Sequence, residues 1–285
     1  MDIGFSFNKR LYGGEKMYKI MGEAGIRALD ICIPDTTEEI YYSLDGKELE
    51  EYIENDRRLI AEAGLYVNQI HGPWRFPALD ATVEDRQERF EMMSKGIKIC
   101  NMLGGKYFVI HPLMPFGIED ITLGKSEEAW QINKEFFERL LPVAKEHGVT
   151  ICLENMPYKD FSLSKPEAIR SFVEGMNDES FMMCLDVGHT YVFNDLDLIN
   201  EVHRCADVIK ALHVHDNRGQ NDEHLQMYMG TIDWISFGKA LKEIGYKGVF
   251  SLECFEPSRR LPPDIARDIY AVYYKISKHA VGEEY

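Results

Sequence analysis

No apolar run in the chain approaches the ~20 residues a membrane-spanning helix needs. The opening residues, MDIGFSFNKR, lack the basic-then-apolar order of a secretory signal, so a cytoplasmic protein is expected. Basic residues are scarce: 32 Lys and Arg stand against 48 Asp and Glu, a net charge of −16. Nucleic-acid phosphates draw proteins in through Lys and Arg, so a nucleic-acid partner is not expected. Part of the acidic excess can be compensated by bound cations. None of the six cysteines (Cys32, Cys100, Cys152, Cys184, Cys205, Cys254) forms a CxxC pair. Most sit in apolar strand-like or helix-like stretches, as reduced thiols acting as small hydrophobes do. Also missing is GxGxxG after the first apolar run, which leads instead into Phe7-Asn8-Lys9-Arg10 with Gly13-Gly14 beyond. A nucleotide-binding doubly wound sheet wants that pattern. No linker or low-complexity stretch divides the 285 residues, an ordinary length for one barrel enzyme. A single domain over residues 1–285 is the expectation.

What is present is an alternation. Strand candidates are Ile3–Phe7, Ala28–Ile33, Tyr66–His71, Tyr107–His111, Thr150–Asn155, Met182–Asp186, Ile209–His215 and Gly248–Phe255. Their cores are rich in Val, Ile, Leu, Cys and Phe, as parallel strands covered on both faces tend to be. Between them, Glu48–Ala63, Val83–Leu103, Glu127–Glu146, Pro166–Gly175, Leu196–Cys205, Trp234–Ile244 and Pro263–His279 space apolar residues three and four apart, the helical period. Gly25, Gly64, Gly104, Gly148 and Gly245 each close a helical stretch shortly before a strand. Strands alternating with helices build either an open doubly wound sheet or a closed barrel. With the dinucleotide motif absent, the reading is α/β, a single (β/α)8 barrel. Leu113–Lys125, containing Pro115 and Gly117, reads as an irregular loop over its mouth.

Active-site residues of such barrels sit at the carboxyl ends of the strands, and polar residues recur there. The third strand ends in His71-Gly-Pro-Trp74 and the fourth in His111-Pro112. The fifth ends in Glu154-Asn155, the sixth in Asp186-Val-Gly-His189, the seventh in His213-Val-His215-Asp216 and the eighth in Glu253-Cys254. A lone His or Glu at a strand end is commonly structural; six consecutive strands ending this way are not. Burying Glu154, Asp186 and Glu253 near one axis is prohibitive without a cation or shared protons. Period two puts Cys152 with Glu154, Cys184 with Asp186, Ala211 with His213 and His215, and Ser251 with Glu253 on one face. Ile151, Leu153, Leu185, Leu212 and Leu252 then face the helices. Three carboxylates and one imidazole (Glu154, Asp186, His213, Glu253) suit manganese, magnesium or cobalt better than a structural zinc, with zinc still open. Asp222 and His224, an Asp-x-His pair after the seventh strand, can add metal ligands or bind a sugar.

At these residues the chain resembles the xylose isomerase-like barrel superfamily, in particular the sugar phosphate isomerase/epimerase group related to endonuclease IV. VIHPL, ICLENMP, CLDVGHTY, ALHVHDNRG with DEHL and GTIDW, and FSLECF carry the resemblance, which covers almost the whole chain. It implies a metal centre of Glu154, Asp186, His213 and Glu253, with His189 contacting substrate and Arg218 near a sugar-binding arginine. The endonuclease IV branch implies a three-zinc cluster in which His71, His111, Glu154, Asp186, His189, His213, Asp222, His224 and Glu253 have counterparts. ENMP and the Asp-x-His pair depart from the ketose epimerase pattern. A homo-oligomer is common among relatives.

The expected activity is isomerisation or epimerisation of a sugar or sugar phosphate through an enediolate. In that scheme Glu154 and Glu253 remove and return a proton, and His111, His189 and His215 shuttle protons near neutral pH. Trp74 covers the apolar face of the sugar. A leaving group beta to the acidified carbon turns the same chemistry into a lyase or dehydratase. Phosphodiester cleavage of the endonuclease IV kind and a non-catalytic sugar sensor are the remaining readings.

Overall fold

A computed structural model describes residues 1–11, 13–33, 39–74, 77–78, 80–254 and 261–284. The strands are β1 (Ile3–Phe7), β2 (Ala28–Cys32), β3 (Tyr66–His71), β4 (Tyr107–Ile110), β5 (Pro115–Ile118), β6 (Thr150–Glu154), β7 (Phe181–Asp186), β8 (Ile209–His213) and β9 (Phe250–Leu252). All except β5 join one sheet in the order β8-β7-β6-β4-β3-β2-β1-β9, and every pairing along it is parallel. The two ends of that order meet. The Val214 N–H donates to the Ser251 carbonyl and the Glu253 N–H to the Val214 carbonyl, each at 2.9 Å. Eight parallel strands therefore close into the expected (β/α)8 barrel.

Helices α1 (Lys16–Glu23), α2 (Ile40–Ser43), α3 (Gly46–Glu62), α4 (Val83–Leu103), α5 (Ser126–Glu146), α6 (Pro166–Met176), α7 (Val187–Tyr191), α8 (Leu198–Arg204), α9 (Trp234–Glu243) and α10 (Pro263–Ala280) fill the connections. Helix α4 carries its own start and stop signals. At α4, Thr82 and Asp85 exchange two 3.0 Å hydrogen bonds, one from each backbone N–H to the other's side chain, which satisfies donors a helix start leaves bare. Gly104 then ends α4 at φ 84°, a left-handed conformation that costs glycine little. The short helices α2 and α7 were not expected, since four or five residues hold too few turns for a helical period to stand out, whereas α1 is the helical stretch that Gly25 closes.

Two expectations need correction. β9 is shorter than Gly248–Phe255, and Phe255 lies outside the described residues. Leu113–Lys125 is not simply an irregular loop. It contains β5 and is tied down by buried polar side chains: Leu113 N–H donates to Asn133 Oδ1 at 2.7 Å and Met114 N–H to Asp80 Oδ2 at 2.8 Å. Asp120, also buried, accepts from the Ser162 N–H at 2.8 Å.

Side-chain size sorts the two faces of the sheet. Val109, Cys152, Cys184 and Ala211, from four consecutive strands, form a small cluster of their own. Ile151, Leu153, Leu185, Leu212 and Leu252 belong instead to the large core shared with the helices. Each such aliphatic, fully buried, contributes about 1.5–3 kcal/mol. The small residues line the lumen, and two positions further along the same strands lie His111, Glu154, Asp186 and His213.

Candidate metal centre

Three groups of ligand atoms adjoin one another at the carboxyl ends of the strands. In the first, His213 Nδ1 lies 3.0 Å from Glu154 Oε1, 3.3 Å from Glu253 Oε2 and 4.0 Å from Asp186 Oδ2. The ligand atoms of these four residues all fall within 4.8 Å of one another. In the second, His71 Nε2 and His111 Nε2 are 3.2 Å apart and lie 3.6 and 3.4 Å from Glu154 Oε2. In the third, Asp222 Oδ2 is 3.3 Å from His189 Nε2 and 3.2 Å from His224 Nε2. His215 Nε2 lies 3.1 Å from Asp186 Oδ1 and 3.6 Å from Asp222 Oδ1. Glu154 thus joins the first group to the second, and Asp186 joins the first to the third.

Local structure explains the placing. Glu154, Asp186 and His213 end β6, β7 and β8. Asp186 also caps α7, accepting from the His189 N–H at 2.6 Å, and this single helical turn brings His189 back over the barrel. A Cβ on Gly188 would lie 2.0 Å from the His215 ring, so only glycine leaves room for that imidazole. Asn155 fixes the same corner: its Nδ2 donates to the Asp186 carbonyl at 3.0 Å and its Oδ1 accepts from the Asp186 N–H at 2.8 Å.

Hydrogen bonds decide which ring nitrogens face inward. His71, His189 and His224 each donate Nδ1–H to a backbone carbonyl, of Gly72, Asn155 and Glu253, at 2.9, 2.8 and 2.8 Å. A carbonyl can only accept, so the proton sits on Nδ1 and Nε2 is turned to the carboxylates, as in metal-ligating histidines. Glu154 Oε2 is buried without a hydrogen bond among the described residues; its two neighbouring imidazole nitrogens lie beyond good hydrogen-bond distance. A wholly buried carboxylate oxygen with no donor is costly unless a cation meets it. The donor set therefore fits divalent ions.

Without a metal, protons take that role. Burial pushes the Glu154 carboxyl up, but His213 and His111 outweigh it and hold it well below the usual range. Burial lowers His213, while Glu253, Glu154 and Asp30 raise it well above an ordinary imidazole. His189 is also lowered by burial, yet Asp186 and Asp222 bring it to about 10. His224 is lowered by burial and raised by Asp222 to about 9. His71 moves the other way, held below its ordinary value by burial and by His111.

Trp74 is 39% exposed, with ring centroids 6.5 Å from His71 and 6.2 Å from His111. Arg218 lies outside the three groups. Its side chain is 58% exposed and its guanidinium is paired with Glu223, so none of its contacts among the described residues directs it to the centre. Asp30 and Gln69, both wholly buried, were missed: Asp30 Oδ2 lies 2.9 Å from His213 Nε2 and accepts from Gln69 Nε2 at 3.2 Å. A signal was available, because Asp30 is the one charged residue of the apolar strand ALDIC.

Comparison with known proteins agrees with this architecture. The family model described as xylose isomerase-like TIM barrel matches residues 19–275. An uncharacterized protein of Methanocaldococcus jannaschii is 29% identical over 65% of this chain and 63% of its own length. The inosose isomerase of Bacillus subtilis is 27% identical over 56% of this chain and 58% of its own length. The chain thus spans less than two thirds of the length of these curated relatives. The crystal structure of the IOLI protein with a bound zinc atom superposes with a TM-score of 0.73 at 19% identity, covering 98% of each chain; at that identity the likeness is one of fold.

Proposed function

The chain belongs to the xylose isomerase-like TIM-barrel family, and we propose that it is a divalent-metal-dependent isomerase or epimerase of a small carbonyl sugar or sugar phosphate. The observation that carries this reading is the pair Glu154 and Glu253. They come from different strands to the same imidazole nitrogen, 3.0 and 3.3 Å from His213 Nδ1. Glu154 is wholly buried, and Glu253 keeps 19% of its side chain open to solvent. In this reading Glu253 takes the proton from the carbon beside the carbonyl, and Glu154 returns one from its own side. A divalent ion held by Glu154, Asp186, His213 and Glu253 supplies the positive charge that steadies the enediolate; manganese, magnesium, cobalt or zinc suits that set. His111 and His189 move protons between substrate oxygens, and Trp74 covers the apolar face of the ring. A substrate with a leaving group beta to the acidified carbon gives elimination at the same site.

One atom separates this from a second reading. Glu154 Oε2 can carry a proton if a single ion is bound. It cannot if a further ion takes His71 and His111, the pair beside it, as in a centre that also loads His189, Asp222 and His224. A fully loaded centre favours phosphodiester hydrolysis. The test combines metal analysis with two assays. One ion per chain and solvent deuterium entering a ketose support the isomerase. Three ions per chain and nicking of an abasic duplex establish the hydrolase in its place.

A further inference from the structure

The imidazoles of the centre are held from behind in two different ways. His71, His189 and His224 rest on backbone carbonyls, whereas His213 rests on a carboxylate. Asp30 is the middle residue of β2. Around the closed sheet, β2 is separated from β8 by β1 and β9, so the 2.9 Å contact between Asp30 Oδ2 and His213 Nε2 crosses the lumen rather than following the sheet. We propose that Asp30 is a positioning residue for the metal: it keeps the His213 proton on Nε2, and so presents the Nδ1 lone pair to the ligand set of Glu154, Asp186 and Glu253.

Four observations support this. Asp30 and His213 are both wholly buried, so no water competes for either partner. A carboxylate only accepts, which leaves the ring nitrogen facing it as the donor. Gln69 Nε2, donating to Asp30 Oδ2 at 3.2 Å and to the Leu212 carbonyl at 3.3 Å, fixes the carboxylate against β8. The His71 ring lies parallel to His213, 5.4 Å away with 6° between planes, which restrains rotation. An outer carboxylate also makes an imidazole a stronger ligand than a carbonyl does. The cost of burying Asp30, with Oδ1 unpartnered among the described residues, buys nothing evident for the fold, since the contact lies between two polar groups inside the lumen. This role rests on the metal reading above, and the test keeps the two apart.

The experiment measures uptake of manganese by the metal-free full chain, for the native protein, Asp30→Asn and Asp30→Leu, with circular dichroism confirming the fold. The Nε2–H proton of His213 is followed by NMR in the zinc-loaded form. Asn keeps an oxygen acceptor without the charge, and Leu removes both. Affinity should fall by about 10–100-fold in Asp30→Leu and by less in Asp30→Asn, with the His213 signal shifting in the same order. If Asp30→Leu does not fold, Gln69→Leu replaces it, with a smaller loss in affinity and a smaller shift expected. Native affinity together with an unmoved His213 signal in the folded variants overturns the role of Asp30 while leaving the metal centre standing. A native chain that takes up no divalent metal overturns both.

Discussion

Asp56 and Glu154 are both wholly buried carboxylates, one on α3 and the other at the end of β6, and their surroundings differ in kind. Asp56 is answered from within the chain. Lys9 Nζ lies 2.9 Å from each of its oxygens, the Tyr18 hydroxyl donates at 3.4 Å, and the Tyr41 hydroxyl donates as well. The Lys9 ammonium also faces the Tyr52 ring at 4.2 Å. Around Glu154 the balance is left open. Asp30, Asp186, Asp222 and Glu253 crowd the same space, and Glu154 Oε2, Asp30 Oδ1 and His215 Nδ1 have no hydrogen-bond partner among the described residues. A buried charge whose partners are all in the sequence is a strut. One whose partners fall short of its lone pairs is prepared for something brought in from outside.

The comparison can be broken at either end. The largest effect is expected at the open cluster, where Glu253→Gln should cut turnover by about 10²–10⁴-fold, read as loss of solvent deuterium exchange into a ketose, with the circular dichroism spectrum unchanged. Native turnover in this variant and in Glu154→Gln would remove the proton-transfer mechanism. At the closed cluster Lys9→Met should cost about 3–5 kcal/mol in urea unfolding, because it strands Asp56, and should leave metal uptake untouched. The same pair has a pH signature. Burial lowers Lys9 but Asp56 raises it above its ordinary value. Its stabilisation is therefore whole below about pH 10 and fades as the pH rises through the raised value, a loss that Lys9→Met should abolish.

Chelation comes next. If the open cluster holds ions, native protein at a free metal concentration of about 100 times Kd should be about 2.7 kcal/mol more stable than the stripped protein, whereas the Lys9 cluster gains nothing from metal. In the stripped protein, His189 near 10 and His224 near 9 carry protons at neutral pH. Loading their group must expel those protons, so affinity there should climb as pH rises from 7 towards 9. Calorimetry in buffers of different ionisation enthalpy checks the proton release; uptake independent of pH would show that these imidazoles take no part. The smallest effect is expected at Arg218→Ala. An exposed pair with Glu223 is worth about 0–1 kcal/mol, and thermal melting should scarcely register its loss.

Much of the barrel could be read in advance because its signals are local and repeated. Tyr66–His71 and Val83–Leu103 match their expected bounds residue for residue, since each has clear stops: Gly72 follows the strand, and Thr82 and Gly104 bracket the helix. α2 and α7 escaped because a helix of a single turn is set by what it packs against. β5 escaped because the order of Leu113–Lys125 comes from contacts with remote residues: Asn133 and Asp80 accept from its backbone, and its own Asp120 accepts from the Ser162 N–H.

The centre divides in the same way. Strand parity sufficed to put Glu154, Asp186, His213 and Glu253 on one face, because alternation along a strand is a property of the backbone. Parity says nothing of distance across a lumen. Only the closed sheet brings β2 within 2.9 Å of His213 and makes Asp30 part of the centre. Only the turn after β7 sets His189 opposite Asp222, and only the pairing of Arg218 with Glu223 keeps that arginine in solvent. The order of residues determines which side chains face inward; closure of the barrel decides which of them meet, because a distance between strands exists only once the chain has folded.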